Sequence, residues 1–248
     1  MLILLPPSEG KTGARRGKPL DLATLSHSAL ADQREQVLSA LVTLCREDAP
    51  GAMAALDLGP TQFDLIVQNS ELRQAPTATA SSVYTGVLYA ALDHGSLSGI
   101  ALRRANRRIQ IVSALFGLVR PNDRIPAYRL SGSSRLPALG ALPTFWRPAV
   151  SREVARSSGL VVDMLSSPYA AFVKLPADAV TVKVWQMGPT GQRTAASHFN
   201  KATKGHLART LATCADEVRR PADVADVARA AGFEVTLDGQ RLDVMRTA

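Results

Sequence analysis

Three apolar stretches of the sequence run directly into short loops that carry charged or hydroxyl side chains. Leu2–Leu5 leads to Ser8, Lys11 and Thr12. Ile109–Val112 leads to Arg120, Asp123, Tyr128 and Arg129, braced by Pro121 and Pro126. Leu160–Asp163 leads to Ser166 and Tyr169. Rigid strands that end in polar loops are a common way to hold a site. Lysine and arginine at such ends clamp a phosphate or carboxylate, and arginine can do so with two parallel hydrogen bonds. Asp123 or Asp163 could act as a general base, or could orient an arginine. The candidate catalytic residues are Lys11, Asp123, Tyr128, Asp163, Ser166 and Tyr169. The candidate anion- or ligand-binding set is Ser8, Lys11, Thr12, Tyr84, Thr85, Arg120, Arg129, Lys201 and Lys204. No histidine stands near Ser8 or Ser166 in sequence, so a serine nucleophile has no support.

Other patterns speak to phosphate and metal chemistry. Gly10-Lys11-Thr12 invites a P-loop reading, but the glycine required five residues earlier is Leu5, and no helix pattern follows. What remains is a strand leading into small residues whose amides can approach an anion. Arg103, Arg104, Arg107 and Arg108 close a helical stretch on one face. They form a candidate contact to the DNA backbone, or a complement to the helix dipole. Leu58-Gly59-Pro60-Thr61 joins two short helices and resembles a helix-hairpin-helix, whose amides contact phosphate. The histidines are His27, His94, His198 and His206, with no carboxylate–histidine cluster at ligand spacing. Cys45 and Cys214 are far apart, with no C-x-x-C. No bound metal and no cofactor are expected.

The elements that position these groups can be read from periodicity. Helices are expected over Ser28–Arg46, in two short pieces within Gly51–Asn69, and over Ser82–Asp93, Ser96–Arg108 and Thr144–Ser157. Further helices are expected from Asn200 to about Cys214 and over Pro221–Ala231. Gly188-Pro189-Thr190-Gly191 predicts a hairpin between Val180–Met187 and Gln192–Phe199. Asp238-Gly239 predicts another between Phe233–Leu237 and Arg241–Met245. Strands and helices alternate over residues 1–248 with no linker or repeat. The fold class expected is α/β (mixed α+β): one domain with a mixed sheet flanked by helices.

At 248 residues, 46% hydrophobic and 20% charged, the chain has a globular composition. No apolar run approaches the roughly 18 residues that span a bilayer. The apolar start meets Pro6-Pro7 at once and has no basic leader, so a cytoplasmic protein is expected. The net charge of +8 implies attraction to polyanions, either nucleic acid or phosphorylated small molecules.

Several motifs taken together resemble the YaaA family of peroxide-stress proteins, also called DUF328 or UPF0246. They are Leu-Pro-Pro-Ser-Glu-Gly-Lys-Thr at 5–12, Val-Tyr-Thr-Gly at 83–86, and Ser-Ala-Leu-Phe-Gly-Leu-Val-Arg-Pro-Asn-Asp at 113–123. Pro126-Ala127-Tyr128-Arg129-Leu130, Phe145-Trp146, Ser166 with Tyr169, and Lys201 with Lys204-Gly205 continue the match over nearly the whole chain. The resemblance implies an unusual α/β fold with a positively charged cleft, DNA binding, and protection against iron- and peroxide-driven damage. The sequence departs from the family pattern at Ser131-Gly132-Ser133-Ser134, where a Met-Gly pair is usual. It departs again at Leu165, where some relatives carry arginine. Two functions follow as expectations. The first is a DNA-binding stress protein whose backbone contacts come from the four arginines with Lys201 and Lys204. The alternative is an enzyme acting on a small anionic or nucleotide-like substrate where the three loops converge.

Overall fold

The structure, a computed structural model, describes residues 1–187, 193–194 and 199–245. Its helices are α1 (Ala31–Glu47), α2 (Ala49–Ala55), α3 (Phe63–Ser70), α4 (Ala80–Val83), α5 (Val87–Leu92), α6 (Gly99–Arg108), α7 (Leu142–Ala155), α8 (Ser167–Ala170), α9 (Phe199–Thr213) and α10 (Pro221–Ala230). Its strands are β1 (Leu2–Leu5), β2 (Ala78–Thr79), β3 (Ile109–Ser113), β4 (Gly117–Val119), β5 (Arg124–Ile125), β6 (Arg135–Leu136), β7 (Gly140–Ala141), β8 (Val161–Asp163), β9 (Val180–Met187), β10 (Arg193–Thr194), β11 (Glu234–Asp238) and β12 (Arg241–Met245).

The main sheet runs β11-β12-β9-β8-β1-β3-β4, with β10 pairing β9 off that path. β1 lies between β8 and β3 and is parallel to both, with Leu2 opposite Val161 and Ile3 opposite Ile109. A strand covered on both faces by other layers reads as an unbroken apolar run, which is why Leu2–Leu5 shows no alternation. All four side chains are buried, each contributing about 1.5–3 kcal/mol by removal from water. β9 and β12 continue the parallel set, while β4 and β11 are antiparallel edges. The mixed α/β fold is as expected. Because β1, β3 and β8 run the same way, the loops after them leave from one edge of the sheet, here called the C-terminal edge.

Three expectations are corrected. The helix expected over Ser82–Asp93 is broken into α4 and α5. Gly86 sits at φ 101, a left-handed conformation that interrupts the helix. The break turns Tyr84 toward the loop after β1, where it forms an isolated antiparallel bridge with Lys11.

The stretch from Ile109 is not one strand followed by one loop. The chain reverses within four residues, so that Ser113 faces Gly117 and Ile111 faces Val119. Gly117, at φ 71, permits the reversal, and the indole of Trp146 occupies the space where a Cβ would stand. Arg120 and Asp123 therefore return toward the opposite, N-terminal edge.

The four arginines of α6 do not form one patch. Arg108 is buried and donates to the carbonyls of Leu211, Cys214 and Asp216, and Arg104 donates to the carbonyl of Thr213. These carbonyls, at and beyond the C-terminus of α9, have no intrahelical partner and favour a cation. Arg103 and Arg107 are exposed.

The closing hairpin is present as β11 and β12. Gly188–Gly191, the turn of the other expected hairpin, lies outside the described residues. Its return strand is described only as Arg193–Thr194, and Phe199 begins α9. The turn at Gly59 joins α2 and α3 as expected, with the Gln62 side chain accepting from the Gly59 N–H.

Candidate functional site at the C-terminal edge of the sheet

Lys11 is the centre of what the C-terminal edge gathers. Its ammonium donates to the carbonyls of Ser8 at 2.9 Å and Glu9 at 3.3 Å. It stands 4.5 Å from the centroid of the Tyr128 ring, within cation–π range, and 5.9 Å from that of Tyr84. Burial pulls its pKa down to about 8; Glu9 opposes that shift and Arg129 adds to it. The loop is fixed locally by its hydroxyls. Ser8 Oγ donates to the Gly10 carbonyl and accepts from the Thr85 N–H at 2.9 Å, while Thr85 Oγ1 donates to the same carbonyl at 3.2 Å. Thr12 is exposed, and its N–H donates to the Val83 carbonyl.

Behind Lys11 lies a buried hydroxyl chain. The Tyr84 and Tyr128 hydroxyls are 2.9 Å apart, and that of Tyr128 is 2.8 Å from Ser113 Oγ at the end of β3. Burial raises the pKa of both tyrosines, that of Tyr84 to about 12. They are neutral phenols at physiological pH and relay hydrogen bonds without carrying charge. Tyr169, from the loop after β8, is also buried, and its hydroxyl accepts from the Gly132 N–H at 3.1 Å. A Cβ at position 132 would stand 3.0 Å from the Tyr169 ring, so the Ser-Gly-Ser-Ser segment is shaped to fit that ring.

Arg129 supplies the second cation. One of its terminal nitrogens donates to Glu9 at 3.1 Å, while its Nε is buried with no partner. Its backbone is gripped from both sides by Asn69, which accepts from the Arg129 N–H at 2.9 Å and donates to its carbonyl at 2.7 Å.

Asp163 ends β8 and accepts from the Leu165 N–H at 2.9 Å. Burial raises its pKa; that hydrogen bond and Lys204 pull the other way. Lys204 donates to the carbonyls of Met164 and Leu165, so it braces the loop after β8 from α9. Ser166 is exposed, its carbonyl accepting from the Tyr169 and Ala170 N–H groups. Lys201 is exposed on α9.

The structure brings Ser8, Lys11, Tyr84, Thr85, Tyr128, Arg129 and Tyr169 to one edge, with Asp163 and Ser166 on the adjoining loop and Lys204 bracing it from α9. Arg120 and Asp123 are elsewhere. Both Asp123 oxygens are engaged: Oδ1 accepts from the Ser26 N–H and hydroxyl, and Oδ2 from the Arg120 N–H. That carboxylate secures a turn away from the Lys11 edge. Two adjoining cavities, of about 1010 and 420 Å³, open at the N-terminal edge, and Arg107 lines both. His27 stands beside the smaller one, held by Glu153 at 3.0 Å and Gln110 at 2.7 Å. Among the described residues no three His, Cys, Asp or Glu side chains converge as metal ligands. His198 lies outside the described residues.

Reasoning from the sequence missed Ser113, Glu9 and Asn69. Ser113 and Glu9 lie inside the quoted motifs, so their types were visible, but their partners were not. Asn69 carried no local signal, because its partner is 60 positions away.

A family model described as Peroxide stress protein YaaA matches residues 1–238. The chain is 43% identical to a UPF0246 protein of Streptomyces coelicolor, over 95% of this chain and 92% of that protein. It is also 43% identical to a UPF0246 protein of Corynebacterium efficiens, over 99% of this chain and 98% of the relative. A relative in Corynebacterium glutamicum is 40% identical over 95% of this chain. With the family model and these near full-length relatives in agreement, the chain belongs to the peroxide stress protein YaaA (UPF0246) family.

Proposed function

We propose that the chain serves the peroxide stress response by binding DNA, with Lys11 and Arg129 engaging a backbone phosphate at the C-terminal edge of the sheet. The observation that carries this reading is the pair of half-buried cations on one edge, with Arg129 Nε buried and unpartnered. A buried guanidinium nitrogen without an acceptor costs free energy, which strengthens the demand of the rest of the guanidinium for an anion. Around the pair Gly10, Thr12, Gly86, Ser133, Ser166 and Ser167 are exposed and small or hydroxylic, and exposed Glu9 pairs with Arg129, so a phosphate must take that arginine from it. A phosphate can approach such a rim closely. The +8 net charge supplies the long-range attraction, and exposed Arg103 and Lys201 add candidate backbone contacts. The tyrosine rings of the edge are buried, so phosphate contacts rather than base stacking would dominate, with little sequence preference.

Binding of a short duplex by fluorescence anisotropy between 50 and 200 mM salt tests the reading. Affinity should fall steeply with salt, and Lys11→Gln and Arg129→Gln should each reduce the slope of log K against log salt by about 1. A salt-insensitive protein, or variants that bind as the parent does, would overturn it.

One observation favours a second reading. Lys11, with its pKa near 8, could move a proton at a small nucleotide-like substrate bound at the same edge. Binding of a free mononucleotide that depends on Lys11, with no duplex binding, would select this reading over the first.

A further inference from the structure

The N-terminal edge of the sheet carries cations that neither the C-terminal site nor the helix capping uses. Arg120 lines only the smaller cavity there. Arg152 and Lys174 line only the larger, and Arg107 faces both. These four come from four separate segments: the turn after β4, α7, the loop before β9, and the end of α6. None of the four is in an ion pair among the described residues. Three carboxylates also line the cavities. Glu153 is engaged by His27 and Arg156, and Glu217 by Arg219, leaving Asp178 as the one without an ion pair.

Arg120 is the most telling of the four. Its backbone N–H is tied to Asp123, so the residue is fixed at its root, and its guanidinium makes no side-chain hydrogen bond or ion pair among the described residues. An arginine anchored by its backbone and lining a cavity has its terminal N–H groups free for an anion there.

We propose that this edge is a second anion site, separate from the Lys11 edge, which takes a small molecule carrying at least two phosphate groups. The count follows from the layout. Arg120 lines only the smaller cavity, and Arg152 and Lys174 line only the larger, so a ligand that meets all three places anionic groups in both. A chain of two or three phosphates lying along Arg107 does so. The combined space also admits a group the size of a nucleoside beyond the phosphates.

Calorimetric titration of the full chain with inorganic tripolyphosphate tests this, with orthophosphate as the comparison. Tripolyphosphate should bind at least roughly tenfold more tightly than orthophosphate, because it engages several guanidinium and ammonium groups at once. The variant R152Q/K174Q should lose that component, and K11Q should retain it. Arg152 and Lys174 are exposed, so their replacement leaves the core intact, and circular dichroism checks this. If K11Q is poorly folded, R129Q takes its place. Equal affinity for the two phosphates overturns the proposal, as does a tripolyphosphate component lost in K11Q but kept in R152Q/K174Q. A short duplex that displaces tripolyphosphate and itself depends on Arg152 and Lys174 would reassign the edge to nucleic acid and overturn the small-molecule assignment.

Discussion

Replacing Lys11 by methionine isolates the cost of holding an ammonium among tyrosine rings. Burial lowers the lysine pKa from 10.5 to about 8. The unfolded chain binds that proton more tightly than the folded one. Between the folded and unfolded values the unfolded state holds the extra proton, so stability rises with pH across that window. Below the folded value the penalty is constant. A shift from 10.5 to about 8 corresponds to roughly 3 kcal/mol, at 1.36 kcal/mol per unit. The carbonyls of Ser8 and Glu9 and the face of Tyr128 favour the ammonium, so about 1–3 kcal/mol is the expected range. The assay is urea unfolding of the parent and Lys11→Met at half-unit steps from pH 7 to 10.5. The parent should gain about 1–3 kcal/mol on the variant across that range. Tyr84, Tyr89 and Tyr128 titrate in the unfolded chain near its upper end, but they are common to both proteins and cancel in the difference. A difference that stays flat, or that shrinks as pH rises, would refute the account of Lys11 as a desolvated cation.

Two further outcomes follow from packing. Gly117→Ala forces a Cβ to within 2.7 Å of the Trp146 ring at a left-handed φ, and should cost about 2–4 kcal/mol in chemical denaturation. Loss of less than half a kilocalorie would mean the β3–β4 reversal does not depend on that contact. Arg108→Met leaves the Cys214 carbonyl without a donor and that of Leu211 with only the Cys214 thiol, and should destabilise by about 2–4 kcal/mol. Arg103→Met, on the exposed side of the same helix, should change stability by less than about 0.5 kcal/mol.

The parallel core was legible because apolar runs such as Leu2–Leu5 and Leu160–Asp163 have few alternatives once they are bounded by small polar residues. The convergence of their following loops comes with parallel pairing. Parallel pairing therefore groups Lys11, Tyr128 and Tyr169 from the sequence alone. The contacts that tune them were not legible. The Lys11–Tyr84 bridge joins residues 73 positions apart and depends on a helix break at Gly86, where the apolar periodicity of Val83, Val87, Leu88 and Leu92 runs on undisturbed. Local pattern favoured one helix, and the left-handed glycine with its long-range pairing prevailed.

The stretch from Ile109 to Leu130 shows the same limit on a larger scale. Arg120 and Arg129 lie nine positions apart, and each keeps a buried Nε without an acceptor. On the sequence they look like two teeth of one anion clamp. One reversal at Gly117 sends Arg120 back along β4 to the N-terminal edge. The chain then pairs β5 with β2 and returns, so that Tyr128 reaches Ser113 and Arg129 reaches Glu9 at the C-terminal edge. The two arginines are thus separated by the length of the strands they flank. A single ligand of ordinary size cannot engage both, which is why the two unsatisfied guanidinium groups argue for two anion-facing edges served by one segment.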